Sequence, residues 1–283
     1  MPQTFDVHVD ADGRVTLPEA IRAHLGVESN GDLRFLLHDD GSVELTAAGP
    51  VTSNALDPEY YIALRSARLD ARGADVVILL SKGIPTGALQ EAGHGLLVAL
   101  AQNQPGAADL ATTAADLLDE RAWRGDSELA ELLRARAAGQ DRGRPAVPAN
   151  LEWVAESLEC DPSMGPGGFL NLDDGSVLPR EIVDDDPELA EQIESGDWLY
   201  ISSEGSRAAW LDMEMFAELQ EPWLGRRLHA AIEGRGAFRR FRDVVYDEPE
   251  LSEAWRQFSS ERSAGRAVEW LMGEGYDPAP RKC

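Results

Sequence analysis

The first 48 residues constrain the fold of this 283-residue chain more than any other stretch. Phe5, Val7 and Val9 alternate with Asp6, His8 and Asp10, the two-residue period of a half-buried strand. Asp12-Gly13 is a hairpin turn signal, because glycine accepts a positive φ without steric cost. Arg14 to Leu17 then reads as the returning strand. Pro18 at a first helical position, Glu19 in the first turn and Gly26 after the last apolar residue frame a helix of about two turns. Leu33 to His38 and Ser42 to Thr46 flank a second turn at Asp39-Asp-Gly41. Four short strands and one short helix cannot bury an adequate core alone, and a symmetric dimer is the economical remedy.

The run Gly13-Arg-Val-Thr-Leu-Pro18, followed by Ile21 and Leu25-Gly-Val27, resembles the AbrB/MazE/SpoVT family of DNA-binding swapped-hairpin domains. The resemblance implies a β-barrel built from the interleaved hairpins of two chains. It also implies a DNA surface around the first hairpin and short helix, here Arg14, Thr16 and Arg22, with Arg34 a secondary position. Residues 1–50 carry only three arginines against nine acids. Phosphate neutralisation dominates DNA affinity, so this balance predicts weak or strongly salt-limited binding. A barrel that dimerises the chain without binding DNA is the competing reading.

After Thr46 the composition shifts. Residues 49–56 read as a linker, and Asp57-Pro58 supplies an N-cap and a first-turn proline for a helix carrying Tyr60, Tyr61, Leu64 and Ala67. The apolar run between Gly73 and Gly83 is too short for periodicity to separate strand from helix, and its context favours helix. Leu89 to Ala101, Ala107 to Arg121 and Ser127 to Ala138 have helical spacing, so 57–139 is expected to be a helical bundle. Gly93-His-Gly95 lacks the remaining elements of a phosphate loop and reads as a helix interruption. Residues 140–150, with Gly143, Pro145 and Pro148 among charges, read as a second linker.

From Leu151 to 278 the pattern is strands first and helices after. Phe169-Leu-Asn-Leu172 and Ser176-Val-Leu178 flank a turn at Asp173-Asp-Gly175, and Trp198 to Ile201 adds a strand. Helices are expected over 208–219, 223–233, 238–245, 251–262 and 264–273, and 279–283 is a tail. The fold class expected is α+β: a swapped-hairpin barrel, a helical middle, and a small antiparallel sheet followed by a helical layer. Gly234-Arg-Gly-Ala-Phe-Arg-Arg-Phe-Arg-Asp243, with Leu151-Glu-Trp153, Gly168 to Gly175, Trp210 to Phe216, Trp255 to Phe258 and Glu269-Trp-Leu271, resembles an uncharacterised bacterial protein family over nearly all of the chain from Leu151 onward. That resemblance implies a shared fold and brings no activity.

A formal net charge of -25 argues against general affinity for nucleic acids or anionic membranes, so any such contact must be local. Between Asp141 and Glu218, nineteen acids face four arginines. Arg226, Arg227, Arg235, Arg239, Arg240 and Arg242 then crowd a short stretch beside Phe238 and Phe241. Either these arginines pair with the acidic half and fix how sheet and helices dock, or Arg235, Arg239, Arg240 and Arg242 form a phosphate or nucleic-acid cluster. Asp184-Asp-Asp186 before Pro187 reads as a helix cap rather than a cation site. Two cysteines, Cys160 and Cys283, and five scattered histidines offer no metal-ligand spacing, and the histidines are expected in turns or on the surface. No catalytic constellation and no cofactor motif is found.

With no apolar run near twenty residues and no charged-then-apolar leader, a cytoplasmic chain is expected. The function expected is a homodimeric, DNA-binding transcriptional regulator or antitoxin-like protein. Its partners would be double-stranded operator DNA, a second copy of itself and a toxin or other protein.

Overall fold

The computed structural model describes residues 18, 20–22, 32–37, 43–48, 57–160 and 167–280. The chain divides into two compact units, 1–53 and 54–283. In the first, β1 (Asp32–Leu37) and β2 (Val43–Ala48) pair antiparallel, with Leu37 opposite Val43 and Asp32 opposite Ala48. Residues 20–22 are helical, and the N–H groups of Ile21 and Arg22 donate to the Pro18 carbonyl at 3.0 and 3.1 Å. The expected first hairpin, with Arg14 and Thr16, lies outside the described residues. The described residues show a two-stranded hairpin and no closed barrel.

The second unit is mainly helical. It begins with α1 (Pro58–Leu69), α2 (Gly73–Leu80), α3 (Leu89–Ala101), α4 (Ala107–Arg121) and α5 (Asp126–Ala137). The Asp57 carboxylate caps α1 by accepting the Glu59 N–H at 3.0 Å, as the Asp-Pro pair predicts. The apolar run after Gly73 is helical, and α3 continues unbroken through Gly93-His-Gly95. Those glycines are therefore close-packing positions, not an interruption. A Cβ on Gly93 would stand 2.7 Å from Leu129 Cδ2, and one on Gly95 would stand 3.0 Å from Val76 Cγ1.

Residues 140–150 are tied into the unit. β3 (Ala146–Val147) pairs in parallel with β7 (Asp277–Pro278), and Asn150 caps α6 (Leu151–Glu159) by accepting the Glu152 and Trp153 N–H groups. β4 (Gly168–Asn171) lies between β5 (Val177–Pro179) and β6 (Trp198–Ile201), antiparallel to both. Two short helices, α7 (Arg180–Asp185) and α8 (Pro187–Ser195), connect β5 to β6. Asp186 caps α8 by accepting from Glu188 and Leu189 at 3.0 and 3.3 Å, so this acidic run serves as the expected cap. The helical layer follows as α9 (Arg207–Glu218), α10 (Pro222–Ile232), α11 (Ala237–Tyr246) and α12 (Pro249–Gly273).

The last helix departs from expectation: the two helices read over 251–262 and 264–273 are one helix of 25 residues. Gly265 within it permits a close contact, since a Cβ there would collide with the Arg124 carbonyl oxygen. Val268 and Met272 of α12 enter the core formed by α1 to α5, while Ala267 and Leu271 enter the core shared with α6 and the three-stranded sheet. One helix thus closes both cores, and adjacent residues point into different ones because successive side chains turn about 100°. Phe216, Phe241, Trp255 and Phe258 add an aromatic cluster joining α9, α11 and α12, with Phe241 and Trp255 centroids 4.8 Å apart.

Candidate functional site

The polar interior of α12 organises the site. Glu261 is buried, and its carboxylate accepts the N–H groups of Gln90 and Glu91 at 2.8 and 2.9 Å. It caps the start of α3 from a helix 170 residues away in sequence. Arg121 Nη1 donates to the same carboxylate at 3.0 Å and also forks onto buried Asp126, which accepts from Gln90 Nε2 at 2.8 Å. Burial pushes the Glu261 carboxyl up, opposed by Arg121 and the two amides. The Arg121 and Arg262 guanidiniums both lie over Trp123, at 4.2 and 5.1 Å from a ring centroid.

One turn further on, Arg262 and Arg266 donate to the two oxygens of buried Asp212 at 2.8 and 2.7 Å. Arg266 also reaches Glu159 of α6, which accepts from Ser263 Oγ at 2.8 Å. Arg262 and Arg266 therefore tie the helical layer to the acidic half, a role that composition suggested for the crowded 226–242 set, of which Arg227 and Arg240 are engaged within the layer itself. A lone arginine in a helical pattern looks like surface. The signal in the sequence was the pair at four-residue spacing on the buried side of an amphipathic helix.

A cavity of about 840 Å³ opens beside this spine. Arg65, Arg68 and Leu69 of α1, Glu91, His94 and Val98 of α3, Glu152 and Glu159 of α6, and Arg256, Ser260 and Glu261 of α12 line it. The Arg68 guanidinium is paired with Glu91, and Arg65 with Glu152 at 2.6 Å. His94 is half-buried as a residue, but its Nε2 is enclosed and has no hydrogen-bond partner. Burial, and then the nearby Arg68 charge, hold the imidazole at a pKa of about 3, so it is neutral at physiological pH. This histidine was expected at a surface or turn. Its place on an inner face followed from α3 being covered on nearly all sides. His229 is half-buried on α10, and His8, His24 and His38 lie outside the described residues. Among the described residues, no group of three or more His, Cys, Asp or Glu is placed to hold a metal ion.

Cys160 borders the same cavity, where its thiol donates to the Ser157 carbonyl at 3.2 Å and accepts the Gly167 N–H at 3.3 Å. Cys283 lies outside the described residues.

The 226–242 arginines separate into different roles. Arg240 donates to the Ala231 carbonyl at 3.0 Å, the Arg235 carbonyl at 2.6 Å and the Glu233 carbonyl, satisfying the end of α10. Arg227 reaches Asp247 at 2.8 Å. Arg235, Arg239 and Arg242 are exposed, and Arg239 has only Asp243 within reach, at 3.9 Å. Gly236, at φ 81°, ends the turn that sets α11 against α10. Of the DNA-facing set, Arg22 is half-buried with its Nε unpartnered, Arg34 lies on β1, and Arg14 and Thr16 are outside the described residues.

The stretch that holds α9 to α12 is similar to an uncharacterised group of proteins. Residues 197–282 match the family model described as an uncharacterised protein family (UPF0158). Over 117 residues the chain is 27% identical to the UPF0158 protein PA5073 of Pseudomonas aeruginosa, covering 40% of this chain and 76% of that protein. No solved structure matches the chain. Among the described residues, no helix is long and apolar enough to cross a membrane.

Proposed function

We propose that the protein is a homodimeric DNA-binding regulator whose first unit engages duplex DNA. The observation that supports this is the order of pieces after Gly13-Arg-Val-Thr-Leu-Pro18: a helical turn on the Pro18 carbonyl, then the antiparallel β1–β2 hairpin. A unit of this size with so few strands needs a second copy, and interleaved hairpins would close it into a barrel. Arg14, Thr16, Arg22 and Arg34 would then be presented twice, around a two-fold axis suited to a palindromic operator. A toxin or another protein would bind outside this surface in an antitoxin-like version.

A second reading concerns the other unit: the cavity beside α12 holds a small polar effector. The enclosed Nε2 of His94, without a partner on a wall shared by α1, α3, α6 and α12, favours it.

The test is fluorescence anisotropy with duplex DNA from upstream of the gene, against a scrambled duplex, at low and physiological salt. Preference for the upstream duplex, lost in the Arg14→Ala/Arg22→Ala protein, is the expected result. Absence of binding at low salt overturns the DNA-binding reading and leaves the unit as a dimeriser.

A further inference from the structure

Helix α11 buries Ala237, Phe241 and Val245, each four residues from the last. The same spacing on its outer side sets Phe238, Arg242 and Tyr246 in a stripe. Phe238 is 47% exposed and Tyr246 65%, and Tyr246 is the most exposed large apolar side chain among the described residues. Between them stands Arg242, which like Arg235 makes no ion pair within the described residues, and beside them Arg239 is 82% exposed. The two rings lie about 12 Å apart along the helix axis, from a rise of 1.5 Å per residue.

Two rings open to solvent, with Arg242 between them and exposed Arg235 and Arg239 beside them, match a polymer that alternates flat bases with phosphates. A duplex does not fit, because its bases are already stacked and paired, whereas the faces of single-stranded bases are free to stack on aromatic side chains. The charge contrast points the same way. In a chain of net charge -25, residues 226–248 carry six arginines against Glu233, Asp243, Asp247 and Glu248. Screening over about 8 Å at physiological salt lets such a patch act locally despite the acidic remainder.

We infer that the outer face of α11 binds single-stranded nucleic acid. Arg235, Arg239 and Arg242 contact phosphates, and Phe238 and Tyr246 each stack on a base. Arg240 stays committed to the end of α10 and takes no part. This surface is separate from the duplex-binding residues proposed for the first unit and does not depend on them.

The probe is a fluorescein-labelled oligothymidylate of about 12 nucleotides, within the span one single-strand-binding module covers, titrated with full-length protein over a salt series. Each stacked base is worth about 5- to 150-fold in affinity, so Phe238→Ala/Tyr246→Ala weakens binding by at least about 25-fold while leaving the salt slope unchanged. Arg235→Ala/Arg242→Ala flattens the slope of log affinity against log salt by about 1.4, and the corresponding lysine variants restore it. These side chains are exposed, so melting temperatures stay at the wild-type value in each variant. Arg14→Ala/Arg22→Ala leaves oligothymidylate binding intact even where it abolishes duplex binding, which keeps the two proposals separable. The inference is overturned if wild type fails to bind at low salt, if the aromatic variant binds as tightly as wild type, or if Arg14→Ala/Arg22→Ala removes binding. It is equally overturned if the aromatic substitutions dissociate a dimer in sedimentation, since the stripe would then face a second copy.

Discussion

Lowering the pH should destabilise this protein through His94, and the size of the effect follows from its surroundings. The imidazole shares its cavity wall with Arg68 of α1, Glu91 of its own helix, Glu159 of α6 and Glu261 of α12. Its pKa is lowered from 6.5 to about 3, first by burial and then by the Arg68 charge. The folded state therefore binds the proton less readily than the unfolded chain. The stabilisation from this depressed pKa is fully present above about pH 6.5 and is lost as pH falls toward about 3. At about pH 5 the unfolded chain has gained nearly a full proton at this site and the folded chain almost none, which corresponds to a loss of about 2 kcal/mol relative to about pH 7.5. The exposed part of the ring makes that value a ceiling. Many carboxylates also titrate below pH 6, so the assay compares wild type with His94→Gln, which has no proton to gain. Urea unfolding followed by tryptophan fluorescence at both pH values gives four free energies. The expected result is a wild-type loss exceeding the variant's by 1 to 2 kcal/mol, as a rough range from the same linkage. Equal losses would show that His94 titrates normally in the folded protein and that the cavity wall is wetter than its enclosed Nε2 implies.

Other substitutions probe the polar spine and the hallmark turn. Glu261→Ala strips the cap from α3 and leaves Arg121 without one of its two carboxylates, so a loss of about 3–5 kcal/mol is expected in urea unfolding. Gly265→Ala drives a methyl group against the Arg124 carbonyl and should cost about 1–3 kcal/mol or more, whereas Gly234→Ala meets no neighbouring atom and loses only about 1 kcal/mol from its positive φ. Arg240→Ala frees three carbonyls at the end of α10 and should lower stability by about 1–2 kcal/mol, while Arg242→Ala stays within about 0.5 kcal/mol of wild type.

Local chemistry was legible in the sequence wherever a few consecutive residues decide the outcome. Asp57-Pro58 and Asp186-Pro187 start helices because a short acidic side chain and a residue lacking an N–H suit the first turn, whatever packs nearby. The turn at Asp173-Asp-Gly175 and the three helices around Gly234 to Asp243 were equally local. Long-range pairing left little trace. Glu261 stands among Ser259, Ser260, Arg262 and Ser263, polar neighbours that give no sign of burial, and only its meeting with the first amides of α3 makes it a buried cap. The Gly93-His-Gly95 run suggested a break because glycine weakens an isolated helix. In the folded unit the same glycines admit Leu129 closer than a Cβ would allow and Val76 at the tight limit of such contacts. His94 was hidden for a related reason: a histidine with no ligand-spaced neighbour reads as a surface residue, and only a continuous, covered helix turns it to the cavity.

The distribution of arginine ties these observations together. Most described arginines of the second unit are engaged: Arg65, Arg68, Arg121, Arg124, Arg134, Arg136, Arg142, Arg262 and Arg266 meet carboxylates, and Arg144 and Arg240 meet backbone carbonyls. In a chain with 51 acids and 26 basic residues this is the expected default, since a nearby carboxylate is easy to find. Cations that escape it therefore need a local reason. On α11 the reason is geometric: Phe241 faces the aromatic cluster and fixes the rotation of the helix, which holds Arg242 on the exposed side with Phe238 and Tyr246. The hallmark Gly234-Arg-Gly-Ala-Phe-Arg-Arg-Phe-Arg-Asp243 thus contains two separable sets. Gly236, Ala237, Arg240 and Phe241 build the turn and anchor the helix, while Phe238 and Arg242, with Arg235 and Arg239 beside them, form the stripe that Tyr246 continues just beyond the motif. A purely structural motif would need only the first set. Substituting the second set should leave folding untouched, so any function lost with it belongs to what the stripe binds.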